Sequence, residues 1–217
     1  MPEPLDAVML SGRCVRLEPL SLDHVPTLVA AAGGPRDTFG LTWVPEANEA
    51  AVRTYVEVAL AARAAGTALP FATVRIDADG PGTVVGSTRF MNAEYWAWPM
   101  SLPKPASVSD RKGPEAVEIG STWLNSTAQR TSVNTEAKLL MLAHAFETWD
   151  CLRVTLRTDE RNIRSRANIE RIGASFEGIL RNHMYAYDGG IRHTATYALL
   201  AEDWPAAKVA LAARLRD

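Results

Sequence analysis

Between Asn134 and Thr148 the chain carries a stretch that leaves few options for how it folds. Ala137, Leu140, Met141, His144 and Ala145 fall on one stripe at helical spacing, while Leu139, Leu142 and Phe146 leave little of the opposite face polar. A helix apolar nearly all round has to be covered on more than one side. The segments around it supply the cover. Cys14 to Pro19 alternates apolar and charged residues and predicts a first strand. Ser21 can cap a helix running through His24 to about Ala32, which Gly33-Gly34-Pro35 ends. Asn48 to Ala65 predicts a second helix with Val52, Tyr55, Val56, Ala59 and Leu60 on one stripe, closed by Gly66.

Leu69–Ile76 and Thr83–Met91 read as strands joined by the turn-rich run Asp77 to Gly82, and Ala116–Leu124 as a further strand. After the central helix come a strand at Leu152–Arg157, a helix at Asn162–Arg171 closed by Gly173, and strands at Ala174–Leu180 and His193–Leu200. Strands alternating with helices and ending in a strand pair predict an α/β (α+β mixed) fold, a mixed sheet covered by helices. The 217 residues suit a single domain. Its one irregular part is an arm at about 95–114, with Tyr95, Trp96, Trp98, Pro99, Pro103, Pro105, Pro114 and the polar run Ser107–Lys112.

Net charge is −2, so no overall basic field points to nucleic acid or an anionic membrane as partner. Cys14 and Cys151 stand far apart in apolar surroundings and suit small buried side chains rather than a disulfide framework or a zinc set; no metal is expected. The start, Met1-Pro-Glu-Pro-Leu-Asp, lacks a basic region followed by an apolar run, and no stretch reaches the roughly 18 apolar residues of a membrane span. The expected location is the cytoplasm.

Two segments carry chemistry. Glu118 to Lys138 is a strand running into a polar loop and then directly into the apolar helix. Backbone N–H groups without partners and the positive end of the helix dipole make such a junction a phosphate site, unless Ser132 or Asn134 merely caps the helix. Arg153 to Ala174 is strand, polar turn, helix and glycine stop. Asn162 and Ser165 lie one turn apart, so both can point the same way, although Asn162 also suits a cap. The five arginines from Arg157 to Arg171 could hold a phosphate or form a solvated face.

Taken together these segments resemble the GNAT acyltransferase superfamily, and within it the Rim-type branch of ribosomal-protein N-terminal acetyltransferase relatives. The family's pyrophosphate loop, Gln/Arg-x-x-Gly-x-Gly/Ala, corresponds to Gln129-Arg130-Thr131-Ser132-Val133-Asn134, followed by Thr135-Glu136-Ala137. Asn162, Ser165 and Gly173-Ala-Ser-Phe176 match its downstream pattern, and the opening Gly12–Leu20 and the Val85–Arg89 strand also look like the branch. The resemblance covers roughly residues 11–204. One departure stands out: Ser132 and Asn134 occupy both glycine positions, where glycine would permit positive φ and close approach of a pyrophosphate. Asparagine tolerates left-handed geometry and Ser132 adds a hydroxyl donor, so the departure marks either a loop that binds through side chains or a member that has lost cofactor affinity. Gln129, Thr135 and the Asn162/Ser165 pair all remain, which favours retained binding.

The resemblance implies a GNAT-like, mostly antiparallel mixed sheet of six to seven strands. Acetyl-CoA lies as co-substrate between the splayed fourth and fifth of them, and its pantetheine runs along the edge around Trp123, Leu124 and Asn125. An unprotonated amine attacks the thioester directly, so catalysis is mostly positioning and oxyanion stabilisation. Glu118 is the first candidate base, either in that role or as a structural carboxylate, with Glu94, Glu115, His183 and His193 behind it. The helix after the fifth strand has no tyrosine, and Ser165 takes the role of acid or thiolate-orienting donor. Cys151 has no evident base beside it for a covalent route.

The arm's Tyr95, Trp96 and Trp98 suit either an acceptor-pocket wall or a face buried in a homodimer, and Trp43 suits an acceptor wall or the core. The expected acceptor is a primary amine of a small molecule or a peptide N-terminus. The alternatives are another acyl donor such as succinyl-CoA, an antibiotic-like acceptor, or an acyl-CoA-binding module without turnover.

Overall fold

The computed structural model describes residues 5–78, 80–99, 101–103 and 113–215. The extreme N-terminus, Asp79 of the predicted turn, and Pro105 with the Ser107–Lys112 run of the predicted arm lie outside the described residues.

Among the described residues the sheet has eight strands: β1 (Leu10–Ser11), β2 (Val15–Pro19), β3 (Ala68–Arg75), β4 (Thr83–Glu94), β5 (Ala116–Leu124), β6 (Arg153–Asp159), β7 (Ser175–Tyr185) and β8 (Ile191–Leu200). Five α-helices flank it: α1 (Val25–Ala32), α2 (Glu49–Ala64), α3 (Ser132–Ala143), α4 (Ile163–Arg171) and α5 (Trp204–Ala213). The spatial order is β1-β2-β3-β4-β5-β6-β8-β7, with every neighbour antiparallel except the parallel pair β5 and β6. The expected six to seven strands become eight because the two-residue β1 is too short to show an alternation. The fourth and fifth strands read from the sequence are therefore β5 and β6.

Two apolar layers cover the sheet. Leu28, Phe39, Val52, Val56, Ala59 and Trp123 form the core beneath α1 and α2. Val15, Phe71, Phe90, Ile119, Met141 and Tyr197 belong to the larger core that takes in α3 and α5. The helix that looked apolar all round is α3, sandwiched as that pattern demands between the sheet and α5. Its α-helical part stops at Ala143, and wider π-turns carry it over His144–Thr148.

The pairing of β5 and β6 positions everything that follows. They are in register only at Ala116↔Arg153, Val117↔Val154 and Glu118↔Thr155. Beyond that, β6 stays with β8 out to Asp159↔Thr194, and β5 stays with β4 out to Gly86↔Leu124. Each strand follows its outer neighbour and the inner edges part. A bulge sits on the parted stretch of β5: the register jumps between Ser87↔Trp123 and Arg89↔Gly120, and Ser121 turns to φ 47°.

Candidate active site

The V-shaped gap opens just past Glu118. Its carboxylate is 8% exposed, accepts from the Asn92 amide at 3.0 Å and forms an ion pair with Arg157 at 3.1 Å. It therefore joins β5 to β6 at their last paired position. Of the weaker base candidates, Glu115 accepts the Trp96 backbone N–H at 2.9 Å and Glu94 the Trp96 indole N–H at 3.1 Å. His183 and His193 make bonds across the β7–β8 hairpin, to Thr194 and from the Asn182 N–H.

Trp123 and Leu124 lie on the stretch of β5 that has parted from β6, and both side chains are buried. The Trp123 side chain is buried beneath α2, packed edge-on to Phe39 and donating to the Tyr55 hydroxyl at 3.3 Å, and Leu124 is in the larger core. The loop after β5 then turns back into α3, so the helix N-terminus stands at the far end of the β5 edge. The predicted loop is shorter than expected. Ser132, Val133 and Asn134 are the first residues of α3, and the cap is Thr131, whose hydroxyl accepts the Val133 N–H at 3.3 Å and donates to the Ala128 carbonyl at 2.7 Å. Positive φ falls on Arg130, at 61°, so neither glycine-replacing residue has to adopt left-handed geometry. Ser132 is exposed and Asn134 half-buried, while Val133 and Thr135 point into the core.

Gln129 faces inward. Its amide donates to the Leu124 carbonyl at 2.9 Å and the Thr38 carbonyl at 3.1 Å, pinning the loop to the end of β5. At the far end of β6, Asn162 caps α4 by accepting the Ser165 N–H at 3.0 Å. That bond sets both side chains on the first turn, and Ser165 stays half-buried.

The five arginines divide. Arg157 pairs with Glu118, Arg161 with Asp159 and Asp188, Arg166 with the Tyr197 hydroxyl, and Arg171 with Asn168. Arg164 reaches the other way, to Gln129 Oε1 and the Thr38 carbonyl, both at 3.4 Å. It brings a cation from α4 to the loop at the α3 N-terminus. In the sequence it stands in a polar run with no sign of which arginine turns towards the loop.

Trp43 does not belong to the core: it is 43% exposed and packs its ring against Tyr55 at 5.6 Å and Tyr187 at 6.2 Å. With Arg36, Phe39, Val44 and Tyr187 it lines a cavity of about 440 Å³. Cys151 is 1% exposed, but Cys14 is only half-buried, and burial first and Glu136 next push its thiol up to about 12. Among the described residues no group of three or more His, Cys, Asp or Glu is placed to hold a metal ion, and no helix is long and apolar enough to cross a membrane.

The pattern of the acetyltransferase (GNAT) domain matches residues 15–175. No curated protein matches the chain. Among solved structures, a candidate acetyltransferase from T. thermophilus is 30% identical, with 99% of this chain and 98% of that one covered and a TM-score of 0.73. A GCN5-related N-acetyltransferase from Brucella melitensis is 28% identical, covering 98% of this chain and 87% of that one, at a TM-score of 0.77. Mycobacterium smegmatis RimJ, solved in complex with CoA-disulfide, shares the fold at 21% identity and a TM-score of 0.73, covering 98% of this chain and 96% of that one.

Proposed function

This chain belongs to the GNAT acetyltransferase family, and from that premise we propose that it moves an acetyl group from acetyl-CoA to a primary amine of a small molecule or peptide N-terminus. The observation that carries the reading is the parting of β5 from β6 after Glu118 and Thr155, with a helix N-terminus at the end of each arm. The inner edge of β5 offers backbone groups to the amides of a pantetheine chain. The first turn of α3 offers N–H donors to the diphosphate, with Arg130 and Arg164 as cations beside it. Gln129 acts by holding that loop rather than by touching phosphate. The same reading takes residues 1–217 as one domain, supported by the single continuous sheet.

In the transfer step the amine nitrogen attacks the thioester carbonyl. Backbone N–H groups at the β5 bulge stabilise the oxyanion, and Ser165 gives a hydrogen bond or proton to the departing thiolate. Glu118, already accepting from Arg157 and Asn92, serves as proton acceptor for the amine directly or through water. Trp43 and the cavity it lines with Tyr187 form one wall for the acceptor.

Thiol release from acetyl-CoA with a panel of amines tests the reaction, and the acceptor's mass gain identifies the acyl group moved. If no amine in the panel supports thiol release while CoA still binds, a CoA-binding module without turnover is left. The phosphate site has its own test. Asn134→Leu places an apolar branch on the first turn of α3 and is expected to weaken CoA binding by about tenfold, by crowding the diphosphate away from the N–H donors there. Unchanged affinity by calorimetry would take the α3 N-terminus out of the binding site.

A further inference from the structure

Lys138 lies on α3 inside the larger core, 4% exposed, and the hydrogen-bond partners of its ammonium are hydroxyls rather than a carboxylate. Nζ is 2.7 Å from Thr122 Oγ1 and 3.2 Å from Thr88 Oγ1, and the two hydroxyls are 2.7 Å apart. Thr122 Oγ1 also lies 3.5 Å from the carbonyl oxygen of Gly120, across the bulged Ser121. A methionine of similar size would fill this space without desolvating a charge, so the lysine is a costly choice for packing alone. Its hydroxyl partners span the distortion in β5, on the stretch where that strand has parted from β6. A serine at positive φ stores roughly 1 kcal/mol and needs surroundings that hold it.

We infer that Lys138 is a positioning residue for acyl transfer, acting through Thr122: it fixes the hydroxyl that bridges the β5 bulge, and so the backbone edge on which the thioester carbonyl is polarised. This role rests on the transferase reading above. Oxyanion donors work only when held in place, and a displacement near 1 Å can cost on the order of 10²-fold in rate.

The charge on Lys138 changes within the assay range, because burial pushes its ammonium down to about 7. Other titratable groups nearby are engaged elsewhere. Glu136 accepts from the turn before β2, His144 packs on Phe90 and Trp149, Arg89 lies over the Tyr55 ring, and Glu118 is held by Arg157 and Asn92. Protonated Lys138 donates to both threonines. Neutral Lys138 can accept from one of them, so the bulge is held differently on either side of neutrality.

The test compares wild type with Lys138→Met, Thr122→Val and Thr122→Ser, measuring kcat, KM for acetyl-CoA, CoA affinity by calorimetry, and melting temperature. Lys138→Met is expected to melt no lower than wild type and to bind CoA within about twofold, yet to lose at least about tenfold in kcat. Wild type is expected to show an inflection in kcat near neutral pH, and Lys138→Met to lack it. Thr122→Val should lose kcat alike, and Thr122→Ser should recover most of that loss, which keeps the test alive even if Lys138→Met misfolds. Wild-type kcat in both Lys138→Met and Thr122→Val would overturn the role of Lys138 and leave the transferase reading standing. A wild-type protein that acetylates no amine would overturn the transferase reading, and this role with it.

Discussion

Replacing Ser165 with alanine is expected to lower kcat by about 10²-fold, the usual contribution of a positioned acid, while CoA affinity stays within about twofold. The expectation follows from how the first turn of α4 is built. Asn162 spends its side-chain oxygen on the Ser165 N–H, which fixes the turn and orients the serine without using its hydroxyl. The hydroxyl is half-buried on the turn that follows β6, the arm of the gap that has left β5. A thiolate leaving along that gap needs one donor, and α4 has no tyrosine to supply it. Because the N–H bond to Asn162 survives the substitution, the helix start should survive too, and the loss should show in kcat rather than in KM. Asn162→Ala would act differently, fraying the turn at a cost of about 1 kcal/mol in stability. Steady-state kinetics alongside calorimetry separates the two cases, and a Ser165→Ala enzyme with unchanged kcat would remove this residue from the chemistry.

What is legible in the sequence, and what is not, follows the range of the interactions involved. β5 is legible over its full span, Ala116–Leu124, and so is α2 with its Asn48 cap and buried stripe, because periodicity and capping act within a few residues. The sequence pattern ends this strand at Leu180, but β7 runs to Tyr185 as an exposed edge with Asn182 at φ 49°. α5 escapes the strand-and-helix reading although its signals are present, a proline in the first turn and Trp204, Ala207 and Leu211 on one face.

The site is legible as two short motifs and illegible as an arrangement. Glu118 and Arg157 are 39 positions apart, and only the meeting of β5 with β6 makes them a pair. Lys138 is, in the sequence, a stray charge in an apolar run, and its partners Thr88 and Thr122 are 50 and 16 positions away. The expectation about the phosphate loop fails at the level of φ. A motif spacing says which residues are near the helix start, but only the fold decides that Arg130 takes the left-handed turn.

Glu136→Ala should cost about 3 kcal/mol of stability, because three donors lose one acceptor at once. The carboxylate is 4% exposed and accepts the backbone N–H groups of Arg13 at 2.9 Å, Cys14 at 2.7 Å and Val15 at 3.0 Å. Arg13 and Cys14 belong to the turn between β1 and β2 and Val15 opens β2, so one side chain of α3 closes the edge of the sheet. The fit is tight: a Cβ on Gly12 would stand 2.4 Å from the Glu136 carboxyl carbon. Glutamine is no rescue, since its NH₂ would face one of the three donors. For a chain of this size about 3 kcal/mol corresponds to a fall of roughly 10 °C in melting temperature.

The pH dependence of this contribution has a definite sign. Burial works to raise the Glu136 carboxyl, but the Cys14 thiol and the backbone donors outweigh it and hold the group below its ordinary value of 4.5. Its stabilisation is therefore complete above that value and fades as pH falls through the lower, folded one. Wild type should lose stability in acid more steeply than Glu136→Ala. Asn134 is only two positions before Glu136, so the same substitution should loosen the first turn of α3 and weaken CoA binding as well. A Glu136→Ala protein with an unchanged melting temperature would show that the turn finds other acceptors, and that α3 is held in place by its apolar faces alone.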